Sequence, residues 1–225
     1  MILTPPRDEA ELRHRAERLA GLTIARVAST LGLGAPEKGV HGKGKVGELI
    51  ERALGASAGP SAAPDFPHLG IELKTIPVDG SGKPVESTFV CTISLADADM
   101  ACWETSLVRT KLAHVLWLPI IGERGGSAAE RRVGAPLFWR PTATQEAVLR
   151  ADFDDAMGLI GIGGIEALTA CAGRWLQVRP KAATGRSRTW SFGPEGERIP
   201  TVPRGFYLRA RFTAALLRDP GAVPP

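Results

Sequence analysis

The sequence predicts an α+β fold with a sheet at its centre, and three observations carry that prediction. Segments with the helical spacing of apolar residues come in a run at the start, segments of strand-like alternation follow in runs of their own, and the chain is long enough to enclose both. At 225 residues, 44% of them hydrophobic, it buries roughly 70% of its unfolded surface and needs neither disulfide nor metal to hold its core. A metal, if bound, serves chemistry rather than folding.

Asp8 follows Pro5 and Pro6 and is placed to cap a first helix, whose Leu12, Ala16, Leu19 and Ala20 repeat at helical spacing up to a stop near Gly21. Thr23 caps a second, with Ile24, Val27, Ala28 and Leu31 on one face and Gly32 and Gly34 after it. The pair reads as a helical hairpin; a helix-turn-helix is the lesser alternative, because no basic recognition face follows. A third helix carries Val46, Leu49, Ile50, Ala53 and Leu54 on its buried side, with Glu48 and Glu51 off that stripe, and residues 55–60 read as a flexible loop. Residues 70–76 alternate as a strand, Ile71 and Leu73 on one face and Glu72 and Lys74 on the other. Residues 89–93 and 115–121 are rich in the β-branched and aromatic side chains that suit a pleated surface. Residues 145–160 give the strongest helix, with Leu149, Phe153, Ala156, Met157 and Ile160 inward and Asp152, Asp154 and Asp155 on a solvated face rather than at a metal. Strands are expected at 174–179 and 206–209, a closing helix at 213–218 and a loose tail at 220–225. Internal repeats, low-complexity tracts and an interdomain linker are absent, so residues 1–225 read as a single domain.

The net charge of +4 hides two unlike parts: residues 1–173 carry 18 basic and 21 acidic side chains, whereas residues 174–218 carry ten basic and two acidic, and Asp219 adds the last negative charge. That asymmetry fits a surface for a polyanion, of which a phosphate backbone is the usual one, and it also fits a solvated basic face. Cys91, Cys102 and Cys171 are odd in number and lack C-x-x-C spacing, which supports neither a disulfide framework nor a zinc knuckle, and reduced thiols are expected. The longest apolar stretch runs over Val115, Leu116, Trp117 and Leu118 and on through Ile120 and Ile121, far short of the ~20 residues that span a bilayer. No membrane span is expected, and since the first residues lack the apolar core of a signal peptide, a cytoplasmic location is.

The most informative segment is Asp65, six residues, then Glu72, Leu73 and Lys74. Hydrolysing a phosphodiester requires a hard cation to polarise the phosphate and generate hydroxide, and carboxylate oxygens are its natural ligands. Asp65 and Glu72 can supply them. Residues two apart on a strand share a face, so Glu72 and Lys74 stand about 7 Å apart at Cα and point into one cleft, where the lysine can neutralise the phosphate or orient the attacking water. Glu51, brought in from the preceding helix, could ligate a second metal, and Lys111, just before the strand at Val115, is a second cation candidate. Taken alone, the same pattern also describes a surface strand that pairs Glu with Lys.

The surrounding residues carry more. Leu54-Gly55-Ala56-Ser57-Ala58-Gly59 and Leu69-Gly70-Ile71-Glu72-Leu73-Lys74-Thr75-Ile76-Pro77-Val78 are followed, in order, by Thr88-Phe89-Val90, Trp103-Glu104-Thr105-Ser106, Val115-Leu116-Trp117 and Arg131-Arg132-Val133-Gly134. Then come Arg179-Pro180-Lys181-Ala182-Ala183 and Pro203-Arg204-Gly205-Phe206-Tyr207-Leu208. Over nearly the whole chain this series resembles the MutH mismatch-repair endonucleases, a family of the restriction-endonuclease-like superfamily.

The resemblance implies a two-lobed restriction-endonuclease-like fold, in which a central mixed sheet flanked by helices borders a DNA-binding cleft. Residues 1–105 would carry the metal site and residues 106–225 most of the DNA recognition. It implies a monomeric, Mg²⁺-dependent nuclease that nicks the unmethylated strand of a hemimethylated GATC site in double-stranded DNA, activated by the MutL protein after MutS detects a mismatch. By matching position it makes Asp65, Glu72 and Lys74 the catalytic set, Glu51 a further metal ligand beside Asp65 and Glu72, and Lys111 an active-site cation. Arg179, Pro180, Lys181 and Tyr207 match DNA-recognition elements, Lys43 matches a DNA-contacting lysine, and Phe89 falls in a segment near the DNA. The residues agree where they speak independently: Arg179 and Lys181 lie in the basic segment, and Arg or Lys donors on guanine acceptors are the commonest direct readout. Arg186 and Arg188 are expected on phosphate. Residues 184–195 keep little of the family's wording, and residues 219–225 also depart from it.

His14 and His41 read as solvent-facing, His68 as a neighbour of Asp65, and His114 as the residue before a buried strand; metal-assisted hydrolysis needs no histidine base. Trp103, Trp117, Trp139 and Trp175 read as core anchors, with Trp190 in the basic loop the exception. The rival readings are a stand-alone restriction endonuclease of related specificity, a catalytically inactive DNA-binding module and a general metal-binding protein.

Overall fold

Asp8 and Thr23 act as the caps their positions predict. In the computed structural model, which describes residues 3–35, 42–59, 62–123, 125–169, 172–181 and 187–224, the Asp8 side chain accepts from Glu11 N–H to open α1, Glu9–Leu19. Thr23 accepts from Arg26 N–H to open α2, Ile24–Thr30. There follow α3 (Gly42–Leu54), β1 (Glu72–Val78), β2 (Thr88–Thr92), α4 (Leu107–Leu112) and β3 (Val115–Ile121). After the short strands β4 (Arg132–Val133) and β5 (Leu137–Trp139), α5 (Ala143–Gly161) starts from a reciprocal cap between Thr142 and Gln145. The chain closes with β6 (Leu176–Pro180), β7 (Thr189–Phe192), β8 (Arg198–Thr201), β9 (Arg204–Leu208) and α6 (Ala210–Arg218). No helix among the described residues is long and apolar enough to cross a membrane.

The chain divides into two compact units, Met1–Val85 with Ala113–Arg140 and Glu86–Leu112 with Pro141–Pro225. The units interleave along the sequence rather than meeting at one cut near residue 105. In the first, β1 and β3 pair in parallel from Glu72↔Val115 to Val78↔Ile121, and β4 and β5 pair antiparallel with β3, which makes a mixed sheet. Val115, Leu116, Trp117 and Leu118 are all buried, as a strand covered on both faces requires. Leu12, Ile24, Val27, Ile50 and Leu54 from the helices join Leu73, Leu116 and Leu118 in one core.

The second unit holds an antiparallel sheet of order β2-β9-β6 and the separate hairpin β7–β8. Val90 is the extra residue of a bulge between Phe89 and Cys91 that re-aims β2 against β9. The inner face packs on α5 through Phe153 and Phe206, ring centroids 5.5 Å apart, and Trp175 stacks on Phe212 of α6 at 4.5 Å. The α+β class is as expected, but the single expected sheet is divided between the units.

Three other expectations change. Asp152 is buried, its carboxylate accepting hydrogen bonds from three backbone N–H groups at 174–176, whereas Asp154 and Asp155 are solvated. The tail is not loose: Gln145 Nε2 donates to the Pro220 and Ala222 carbonyls, and Arg174 Nη2 and Trp175 Nε1 both donate to that of Pro224. Much of the basic segment is structural, since Arg209 donates to the carbonyls of Gly173 and Ala172, Arg211 to that of Arg174, and Arg218 to that of Ala214. Short α4, β4, β5 and the β7–β8 hairpin have no counterpart in the sequence reading.

Candidate functional site

The interval between Asp65 and Glu72 is the length of a turn. Phe66 and Ile71 exchange backbone hydrogen bonds, at 2.9 and 3.3 Å, and both side chains are buried in the core. Gly70 completes the turn at a φ of +65°, the left-handed region that glycine enters without strain. Asp65 and Glu72 are therefore the residues just outside a paired base, one on each arm. Asp65 Oδ2 accepts from Leu73 N–H at 2.8 Å, and Glu72 N–H donates to the His114 carbonyl at 3.0 Å, which fixes both positions to the head of the β1–β3 pair.

Glu72 is 3% exposed, and Lys74 Nζ donates to its Oε1 at 2.7 Å, as the shared strand face predicts. Glu51 comes from α3, which lies close on β1: a Cβ on Gly47 would stand 3.7 Å from Thr75 Oγ1 and 4.0 Å from Glu51 Oε1. Burial pushes the Glu51 carboxyl above its ordinary pKa, the Asp65, Glu72 and Glu48 carboxylates push it the same way, and Lys74 opposes them. Asp65, Glu72, Lys74 and Glu51 are thus brought together within the first unit. Among the described residues no three His, Cys, Asp or Glu side chains are gathered closely enough to hold a metal as they stand. The donor chemistry nevertheless fits a hard divalent cation: oxygen ligands only, with a mutual repulsion at Glu51 that such a cation would relieve. His68 is tied elsewhere, its Nε2 2.6 Å from the Pro6 carbonyl oxygen.

A second cluster occupies the outer face of the antiparallel sheet in the other unit. Along β9, Phe206 and Leu208 turn inward and Gly205 and Tyr207 outward, opposite Arg179 and Gln177 of β6. The Phe89 and Tyr207 rings meet edge to face with centroids 5.3 Å apart. Lys181 Nζ stands 4.1 Å from the Phe89 ring centroid, and the Arg179 guanidinium 5.7 Å from that of Tyr207. Pro180 ends β6 opposite Arg204, and Lys181 N–H is held by the Pro203 carbonyl at 2.7 Å. Gly205 leaves room for this packing, since a Cβ there would lie 2.9 Å from the Phe89 ring and 3.0 Å from the Cys91 carbonyl oxygen. Burial raises the Tyr207 pKa and the nearby Arg179 only partly offsets it, so the phenol is neutral at physiological pH.

The structure thus joins Phe89, Arg179, Pro180, Lys181 and Tyr207. Lys111 is buried on α4 in the second unit. The Lys43 side chain and Arg186 lie outside the described residues. Sequence reasoning missed Ser87, whose hydroxyl accepts from Gln177 Nε2 at 2.8 Å and from Arg179 Nη1 at 3.4 Å. The signal available was the period of two, which sets Gln177 on the face of Arg179.

A carboxylate–lysine cluster at the head of a buried strand pair in one unit and a cationic and aromatic sheet face in the other, within one α+β chain, is the make-up of the restriction-endonuclease-like nucleases. The comparisons with known proteins narrow the class. A family model described as the DNA mismatch repair enzyme MutH matches residues 54–152. The DNA mismatch repair protein MutH of Escherichia coli strain HS is 48% identical over 216 residues, 96% of this chain and 94% of that protein. Its counterpart in strain 536 is 49% identical over the same length. The chain belongs to the MutH family of DNA mismatch repair enzymes.

Proposed function

We propose that this mismatch repair endonuclease of the MutH family nicks the unmethylated strand of a hemimethylated GATC site, with Mg²⁺ as its cofactor. The observation that carries the reading is the placement of Asp65 and Glu72 on the two arms of one turn at the head of β1, with Lys74 paired to Glu72 and Glu51 near enough to feel both carboxylates. Those three carboxylates would hold the Mg²⁺, which when bound polarises the phosphodiester and makes water a nucleophile at neutral pH. Asp65 is held in place by the Leu73 N–H. Lys74 turns from Glu72 toward a phosphate oxygen and offsets the negative charge that accumulates as the water oxygen bonds phosphorus. One P–O ester bond breaks, leaving a phosphomonoester and a hydroxyl at the nick.

Arg179 and Lys181 present donors to guanine O6 and N7, while Pro180 and the Pro203 carbonyl hold their turn in place. The neutral ring of Tyr207 lies beside the adenine amino group, where a methyl would clash, and Phe89 braces Lys181. Lys43 and Arg186 contact the DNA backbone, and Lys111 is a further active-site cation. The enzyme works as a monomer in the cytoplasm, downstream of MutS and activated by MutL.

The test is nicking of hemimethylated, unmethylated and fully methylated GATC duplexes with Mg²⁺, with and without MutL and ATP. Asp65→Ala, Glu72→Ala and Lys74→Ala each abolish nicking and leave DNA binding intact; a wild-type rate in any one removes that residue from the mechanism. Equal wild-type rates with and without MutL would instead favour a stand-alone restriction endonuclease.

A further inference from the structure

Of the five tryptophans, Trp103, Trp117, Trp139 and Trp175 are 4% exposed or less, whereas Trp190 is 57% exposed. It stands on β7 in the hairpin with β8, where the register pairs Trp190 with Pro200 and Phe192 with Arg198. Alternation along the two strands puts those four side chains on one face, and all four are exposed. The opposite face turns Ser191 and Thr201 inward, and Thr201 Oγ1 donates to Glu166 Oε1 at 2.9 Å. The exposed face therefore shows two large aromatic rings with an arginine beside them, on an element anchored from behind. Arg188, also exposed, stands just before β7. The acidic residues of the hairpin are at its turn, where the Glu197 carboxylate accepts from Glu195 N–H. An open groove of about 380 Å³ runs between residues 189–192 and residues 93–96.

The hairpin's place in the chain indicates what covers it. β6 and β9 are neighbours in the sheet, with Pro180 opposite Arg204, and the hairpin is inserted between them. In the chain it follows the end of β6 that carries Arg179, with Lys181 just beyond, and precedes the strand that carries Tyr207. Aromatic faces take bases and sugars without regard to sequence, and arginines take phosphates, so the chemistry of the face complements nucleic acid. Residues 184–195 are also where the chain leaves the family's wording, and Trp190 and Phe192 lie in that stretch.

We propose that the Trp190–Phe192 face is a second, sequence-independent DNA contact, binding the sugar–phosphate backbone of the duplex outside the bases read by Arg179 and Lys181. Arg198 and Arg188 pair with phosphates there. The inference rests on the reading above only in taking double-stranded DNA as the ligand.

The experiment compares wild type, Trp190→Phe, Trp190→Ala and Arg198→Ala on two GATC duplexes, one confined to the recognition site and one extended well beyond it, with thermal melting to verify folding. The long duplex quenches or shifts tryptophan emission in the wild type, and Trp190→Phe removes that response while keeping affinity. Trp190→Ala lowers affinity for the long duplex about tenfold, the scale of one aromatic contact, and leaves the short duplex and the preference for GATC unchanged. Arg198→Ala lowers the salt dependence by about one phosphate contact. A Trp190→Ala variant that binds both duplexes like wild type, or an emission change produced by MutL and not by DNA, overturns the proposal. Loss of GATC preference in the wild type, with the length-dependent contribution of Trp190 intact, would overturn the base-reading assignment and support this one.

Discussion

Asp152 Oδ2 accepts a hydrogen bond from the backbone N–H of Trp175 at 2.6 Å, tying the middle of α5 to the start of β6. The same carboxylate takes Leu176 N–H at 2.8 Å and, through Oδ1, Arg174 N–H at 2.6 Å. These are strand-edge donors that a helix side chain satisfies. Asp152→Ala strands them in a buried setting and costs about 3 kcal/mol or more, whereas Asp152→Asn, which keeps one acceptor oxygen, costs roughly half as much. Denaturant unfolding of the two variants measures it; equal midpoints for Asp152→Ala and wild type would remove the carboxylate from the stability of the unit.

Gly205→Ala sets a methyl carbon 2.9 Å from the Phe89 ring and 3.0 Å from the Cys91 carbonyl oxygen. The ring is the part that can move, and with it goes the surface under Lys181. The expected result is a folded protein whose preference for GATC over other sequences falls about tenfold, the scale of one base contact. Competition binding reads it, and an unchanged preference would show that Phe89 and Lys181 need no such fit.

Tyr207→Ser removes the ring that packs on Phe89 and leaves a small hydroxyl on the same outward face. Fully methylated duplexes should then be cut better relative to hemimethylated ones. The measurement is the ratio of single-turnover rates on the two; a ratio equal to that of wild type, in a folded variant, means that methyl discrimination does not run through this ring.

Glu11 gives the acid side of stability a definite shape. Its carboxyl titrates at about 2 instead of 4.5, first because Arg7 N–H donates to it and then because the Arg15 and Arg7 guanidinium groups do. A depressed carboxylate stabilises the fold fully above its ordinary pKa, and that contribution is lost as the pH falls from about 4.5 through about 2. Glu11→Gln should melt below wild type at neutral pH and converge with it toward the acid end of that window. A melting difference that stays constant through the window would contradict the assignment.

What was legible in the sequence was local. The Asp8 and Thr23 caps and the strand from Val115 to Ile121 each declare themselves within a few residues, and so does the Asp65 to Glu72 interval, because its turn is contained in the interval. What was not legible depends on partners far along the chain. Asp152 looks like any acid on a helix until residues 174–176 arrive beneath it, and residues 220–224 look loose because their anchors are the side chains of Gln145, Arg174 and Trp175. The charge count misled for a related reason: Arg209, Arg211 and Arg218 spend their donors on backbone carbonyls, which composition cannot reveal. Two lobes were expected, but their interleaving along the chain was not legible, because it is set by strand pairing and not by a linker.

That interleaving bears on how the molecule comes into being on the ribosome. β1 has β3 as its sheet neighbour, and the chain must build the opening part of the second unit before β3 emerges. β2 in turn waits for β9, which lies far along the chain. Neither unit is a contiguous stretch: the first is complete only once Arg140 has emerged, and until then an N-terminal fragment carries an unsatisfied strand edge and much of an unfinished core. Folding of the first unit is therefore expected to wait for Arg140, and a product terminated before that point becomes a substrate for chaperones and proteases rather than a working half-enzyme.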